Sequence, residues 1–195
     1  MIMEYDFKDG KGPVPANRHE NGGGWVANSA TVDVRCYIGP NAKVSGNAKV
    51  FGNAEVFGDA KVSDYAWVYD YARVYGSAKV SGNAKVFGNA LVFDDARVFG
   101  NAWVSGNAEV SDYALVFGNA KVYGSAKVFG NAEVSDYAKV SGNAGVSDYA
   151  EVSDYAEVYD DAWVYDYARV FGNAWVYSDI GGGFKWGNKN EDQSI

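Results

Sequence analysis

An aliphatic residue stands at every sixth position from Val26 to Val176, through Val32, Ile38, Val44 and Val50, giving 26 unbroken hexads. Four residues after each stands a small one: Ala30, Cys36, Ala42, Ala48, then Ala at every repeat to Ala174. From Val44 the unit reads Val, an aromatic or Ser, Gly or Asp, a polar residue or Tyr, Ala, and a variable residue. The run closes after Val176 with the variant Tyr177-Ser178-Asp179-Ile180.

This period selects the conformation. Ala and the next Val lie two apart, so in an extended strand they share a side and the residue between them points away. Those intervening residues, Lys43, Lys49, Glu55, Lys61, Trp67 and Arg73, are mostly charged and therefore outward. The Gly-Asn, Gly-Asp, Gly-Ser, Asp-Tyr and Asp-Asp pairs are corner chemistry, since they tolerate a positive φ that β-branched residues refuse. A helix is disfavoured, because a six-residue step walks the Val around a 3.6-residue surface. Each hexad is thus a short strand and a corner, with Val44, Ala48, Val50, Ala54, Val104, Ala108, Val164 and Ala168 as representative core positions. One such unit cannot bury its own apolar side, so the hexads must stack as a solenoid.

The residue after Val sets the coil length. Ser45, Phe51, Phe57 is followed by Ser63, Tyr69, Tyr75 and by Ser81, Phe87, Phe93, a triplet of period 18. Three hexads per coil give a triangular section and eight to nine coils, a prism about 40 Å long at the ~4.8 Å spacing of paired strands. The expected fold is all-β, a single-stranded parallel β-helix. Its expected parts are an irregular N-terminal segment or cap over 1–25, the solenoid over 26–180, and a Gly-rich tail or cap over 181–195.

An aliphatic residue followed four positions later by a small one resembles the hexapeptide repeat of left-handed parallel β-helix proteins. Runs such as Gly-Asn-Ala-Lys-Val-Ser-Gly-Asn-Ala-Lys-Val-Phe, with the Gly23-Gly24-Trp25-Val26 lead-in, are most similar to the YdcK-type β-solenoid family of bacteria. The resemblance spans residues 23–176 and implies a left-handed coil; it implies no settled activity. The wider superfamily includes acyltransferases and γ-class carbonic anhydrases, which act through histidines, so an acyltransferase-like enzyme is the alternative reading.

Composition weighs against that alternative. The chain has 195 residues, 24 Gly and 31 aromatics, but one His, one Cys and a single Thr. His19 lies in the N-terminal segment, not on a coil, and reads as a surface or cap histidine. Cys36 fills the inward small-residue slot, and the 26 hexads contain no inserted loop of the kind that shapes an acyltransferase acceptor site. One Cys and one His cannot build a tetrahedral zinc site. The corner aspartates Asp64, Asp70, Asp148, Asp154, Asp160 and Asp166 read as an alternative corner type rather than a row of calcium ligands. No catalytic residue, metal site or cofactor is therefore expected.

The outward positions remain. Of the 23 residues that follow the core aliphatic from Val44 on, 14 are Phe or Tyr and nine are Ser. Phe51, Phe57, Phe87 and Phe93 are expected in exposed ladders that either stack on themselves or meet a partner. Lys49, Trp67, Lys85, Trp103 and Lys121 recur at 18-residue steps, which suits a cation–π ladder. Aromatic ladders also suit sugar rings, so a carbohydrate- or surface-binding solenoid ranks third. Ice-binding faces usually repeat Thr, which this repeat lacks.

Charge enters last. Net charge is −8, which disfavours nucleic acid, and no stretch reaches the roughly 20 apolar residues of a membrane helix. Without a classical signal peptide, a cytoplasmic location is the default, with a virion or extracellular fibre as alternatives. Residues 26–101 carry eight basic and seven acidic groups, net +1, whereas 102–176 carry four and eleven, net −7. Lys43, Lys61, Lys79 and Arg97 fall in one 18-step column, and Glu133 and Glu151 continue it. Neither flank shows an amphipathic helix to cap an end, so Trp25, Phe184 and Trp186 are candidate end contacts, the last two as plugs of the final coil. The expected role is structural: a self-associating rod whose partner is itself, joined end to end as a head-to-tail filament or fibre subunit, or face to face.

Overall fold

The computed structural model describes residues 3–187. Among them there is no helix, and so none long and apolar enough to cross a membrane. The chain forms a β-solenoid of about nine turns, built from one 12-stranded and two 9-stranded sheets. Most strands are two residues long: the outward residue and the core Val, as in Lys43–Val44 and Lys49–Val50. Each pairs in parallel with the strand 18 residues on, for example Lys49↔Trp67↔Lys85↔Trp103. The period of 18 read from the Ser-aromatic-aromatic triplets is therefore the coil length. Face I carries the strands in register with Lys43–Val44, face II those with Lys49–Val50 and face III those with Glu55–Val56.

Coil-to-coil bonding is uniform because the repeat is. Up to Glu157 the outward residue of each hexad donates its amide to the Ala carbonyl of the next coil, as Lys43 does to Ala60 at 3.0 Å. The residue after Val donates to the next Val carbonyl, as Ser45 does to Val62 at 2.9 Å. The core is a column of Val and Ala, with Val44, Ala48, Val50, Ala54, Val104, Ala108, Val164 and Ala168 all fully buried. Side chains this small are what a narrow triangular interior can hold at close packing.

The corners explain the Gly/Asp alternation. All 22 corner positions from Gly46 to Gly172 have φ between +55° and +75°, 13 of them Gly and nine Asp. A left-handed Asp costs about 1–2 kcal/mol relative to Gly, and several recover part of it. The Asp64 carboxylate accepts the Gly82 amide at 3.2 Å, Asp112 that of Gly130 at 3.0 Å, and Asp154 that of Gly172 at 2.9 Å. In each case a corner acid ties down the corner one coil further along.

The N-terminal segment departs from expectation. Residues expected to be irregular form strands β1 (Glu4–Asp6) and β2 (Pro13–Arg18), which lead antiparallel into β3 (Trp25–Ala27) and extend face I. Phe7, Ala16 and Ala27 are buried in a small core of their own, with Tyr5, Val14 and Trp25 against it. The edge of face III is covered as well: Ile38 donates to Asn21 O at 3.0 Å and accepts from Gly24 at 2.9 Å. A Cβ on Gly22 would collide with the Ile38 carbonyl, so this loop depends on glycine. Two of the three strand edges at this end are thus occupied by the chain itself.

The far end also differs. The last coil is short, with Ile180 opposite Val164, sixteen residues on, and Phe184 opposite Arg169, fifteen residues on, instead of eighteen. The shift turns Phe184 and Trp186 outward, opposite Arg169 and Phe171, where both are exposed. Neither plugs the coil. Lys185 instead stands opposite Val170 in the core register, its ammonium 5.9 Å from the Tyr177 ring. Of the expected 181–195 tail, residues 188–195 lie outside the described residues.

Candidate functional site

The outer surface is a set of straight rows, because every rung repeats in register. On face II the ammonium groups of Lys49, Lys85 and Lys121 stand 4.8–5.2 Å from the ring centroids of Trp67 and Trp103, each Trp lying between two Lys. Beside this row Phe51, Tyr69 and Phe87 stack at 4.9 and 4.8 Å with nearly parallel planes. Trp67 and Trp103 meet Phe51 and Phe87 edge-on at 5.8 and 6.2 Å. On face III Phe57, Tyr75 and Phe93 stack at 4.9 and 5.0 Å. The expected Phe ladders are therefore half-buried in their own neighbours rather than open. Burial, and then the Asp70 and Asp94 charges, push the Tyr69 and Tyr75 phenols above their ordinary pKa.

Charged rows come in two kinds. Face III interleaves its signs: Glu55 pairs with Arg73 and Glu109 with Lys127, each at 3.4 Å and each one coil apart. Face I segregates them. Its row runs Lys43, Lys61, Lys79, Arg97, Leu115, Glu133, Glu151, Arg169. Lys43 lies over the Tyr5 ring at 5.6 Å, but Lys61, Lys79 and Arg97 make no ion pair among the described residues. At the other end Glu151 pairs with Arg169 at 2.8 Å while Glu133 has no such partner there. Like charges opposite one another on adjacent strands are destabilising.

At the acidic end of face I lies an open cleft of about 260 Å³, lined by Asn131, Glu133, Tyr149, Glu151, Tyr167 and Arg169. Tyr149 and Tyr167 stack at 5.1 Å along its wall, and both are largely exposed. Arg169 already neutralises Glu151, so the seat for a further cation is the Glu133 carboxylate beside the two stacked phenols, through charge and through the ring faces. Its residues lie 18 apart in the sequence, so the coil period would have found it once the Glu and Tyr columns were read together.

The remaining candidates are separate from these rows. Trp25 stacks on Tyr5 at 4.3 Å and lies under the Arg18 guanidinium at 4.3 Å, so it belongs to the N-terminal cap. His19 sits in the loop between β2 and β3, with Nδ1 3.1 Å from Asn21 O. Cys36 is buried with Sγ 3.7 Å from Gly52 O, and burial first, then the Asp33 charge, raises its thiol pKa. A thiol so placed is a poor nucleophile. Among the described residues no three His, Cys, Asp or Glu side chains come together as a metal-ligand group. No protein-family model matches the chain, and no curated protein matches it.

Proposed function

We propose that the chain is a structural rod that associates with copies of itself and performs no reaction. The observation that carries this reading is the charge segregation along one rigid, repetitive axis: net +1 over residues 26–101 and −7 over 102–176. Within that gradient face I carries Lys61, Lys79 and Arg97 toward one end and Glu133 and Glu151 toward the other. These stretches attract at short range where two copies bring them together, against the overall repulsion of two chains of net charge −8. The occupied edges at the N-terminal end favour contact between faces over a continuation of the sheets from rod to rod, since parallel strand addition needs an open edge. Cys36 in the core and His19 in a loop off the coils support a scaffold rather than a catalyst. The hexapeptide-repeat resemblance, with the left-handed coil it implies, belongs to the same reading.

Sedimentation of the full chain between 1 and 100 µM, at 0.05 and 0.5 M NaCl, tests it. Association driven by charge raises the average mass at low salt and loses most of that rise at high salt, where the screening length falls to a few ångströms. A monomer at every concentration in both buffers overturns the proposal.

A further inference from the structure

This inference rests on the self-association reading and specifies its geometry. We infer that two copies pair antiparallel through face I, about a two-fold axis that passes beside Leu115. An axis lying in the face and perpendicular to the rod lays each row on its own reverse. The stretch of the row from Lys79 through Arg97, Leu115 and Glu133 to Glu151 then meets itself with its signs matched. Arg97 faces the second copy's Glu133, and Lys79 faces its Glu151. Symmetry repeats both pairs on the other side of the axis.

The neighbouring row supports the same axis. Phe99 and Phe117 stack at 5.0 Å beside Leu115, flanked by Ser81 and Ser135. The reversal sets Phe117 against Phe117 and Leu115 against Leu115, an apolar centre with charge on either side. The cation seat falls in place as well. Glu133, Tyr149 and Tyr167 receive the Arg97 side chain of the second copy, and its Lys79 shares Glu151 with Arg169. Neither Lys79 nor Arg97 has an acid partner among the described residues of its own chain. The one like-charge meeting, Lys61 against Arg169, is softened because Arg169 is already bonded to Glu151 at 2.8 Å.

Two alternatives fail on the same rows. Parallel pairing through face I sets Lys79 on Lys79 and Glu133 on Glu133. Antiparallel pairing through face III about Leu91 would also match signs, but there Glu55–Arg73 and Glu109–Lys127 already neutralise one another. A strip about 13 Å wide and 35 Å long buries roughly 900 Å² in total, the size class of weak complexes. Pairing is therefore expected to be weak and concentration-dependent.

The test uses two full-length variants. Lys79→Glu/Arg97→Glu makes the row acidic on both sides of Leu115, and Glu133→Lys/Glu151→Lys makes it basic on both sides. Sedimentation of the wild-type chain is expected to show a dimer. Each variant alone should associate at least tenfold more weakly, and an equimolar mixture should recover the wild-type affinity, because acidic and basic rows match. Cooperative melting of each variant shows that it is folded. A wild-type dimer that either variant forms equally well overturns the face I geometry and leaves self-association standing. Folded variants whose mixture stays monomeric overturn the geometry too. A wild-type chain monomeric at 100 µM and low salt removes both readings.

Discussion

Faces I and III are built on the same backbone, the same core and the same rung spacing, yet they use charge in opposite ways. Face III alternates Glu55 with Arg73 and Glu109 with Lys127, so each acid finds its base one coil away. Face I lines up Lys43, Lys61, Lys79 and Arg97, then turns acidic at Glu133 and Glu151. In a solenoid the pairing distance is fixed at 18 residues, so the order of signs along a column decides whether a face satisfies itself. Face III is complete alone; in the proposed pair face I is completed by its own reverse.

The largest expected effect tests whether the contrast is confined to the surface. Val92 lies behind face III and Val98 behind face I, both fully buried. Val92→Asp and Val98→Asp each place an unpaired carboxylate in a dry core, at a cost of several kcal/mol against a total stability of about 5–15 kcal/mol. Both variants should lose the cooperative thermal transition, and to a similar extent. Were Val98→Asp tolerated while Val92→Asp unfolds, the two faces would differ in their packing and not only in their charges.

A smaller effect should differ in sign. Arg73 on face III pairs with Glu55 across partly exposed side chains. Arg73→Glu replaces an attraction with a repulsion, a loss of about 0.5–1 kcal/mol by the usual worth of such pairs. Lys79 on face I stands between Lys61 and Arg97, so Lys79→Glu exchanges two repulsions for two attractions. The isolated rod should gain about 0.5 kcal/mol. Urea unfolding at 1 µM, where pairing is absent, measures both. Destabilisation of similar size in the two variants would mean that Lys79 has a partner within its own chain.

How much of this was legible in the sequence follows from the period. Any feature that repeats at six or 18 residues could be read: the Val/Ala core, the positive-φ corners and the Lys49–Trp67–Lys85–Trp103 row. The ends lie where the repeat stops, and there the reading failed. Pro13 and Pro15 sit two apart in β2, and proline argues against an interior strand, which hid the antiparallel cap. The short last coil could not be seen either, because losing three residues from one turn reverses which side Phe184 and Trp186 take. The corner aspartates were placed correctly, but their bonds to the next coil's amides depend on a rotamer that no spacing specifies. The Glu133–Tyr149 cleft was within reach, since both columns obey the period, but it needed two columns read side by side.

The smallest expected effect separates the faces most cleanly. Leu91 and Leu115 are the two leucines on outward rows, each half-buried and each beside stacked Phe rings, Phe93 on face III and Phe99 with Phe117 on face I. Leu→Ala at either site removes similar area from a similar place, so folding stability should fall by no more than about 1 kcal/mol in both. Association should respond only at Leu115. In the proposed pair the side chain meets its own copy, so each substitution is counted twice, and the dissociation constant should rise about tenfold for a loss near 1.4 kcal/mol. Sedimentation of Leu91→Ala should overlay the wild type. If the two variants weaken association equally, the apolar contact is shared between faces, and charge order alone does not choose the partner surface.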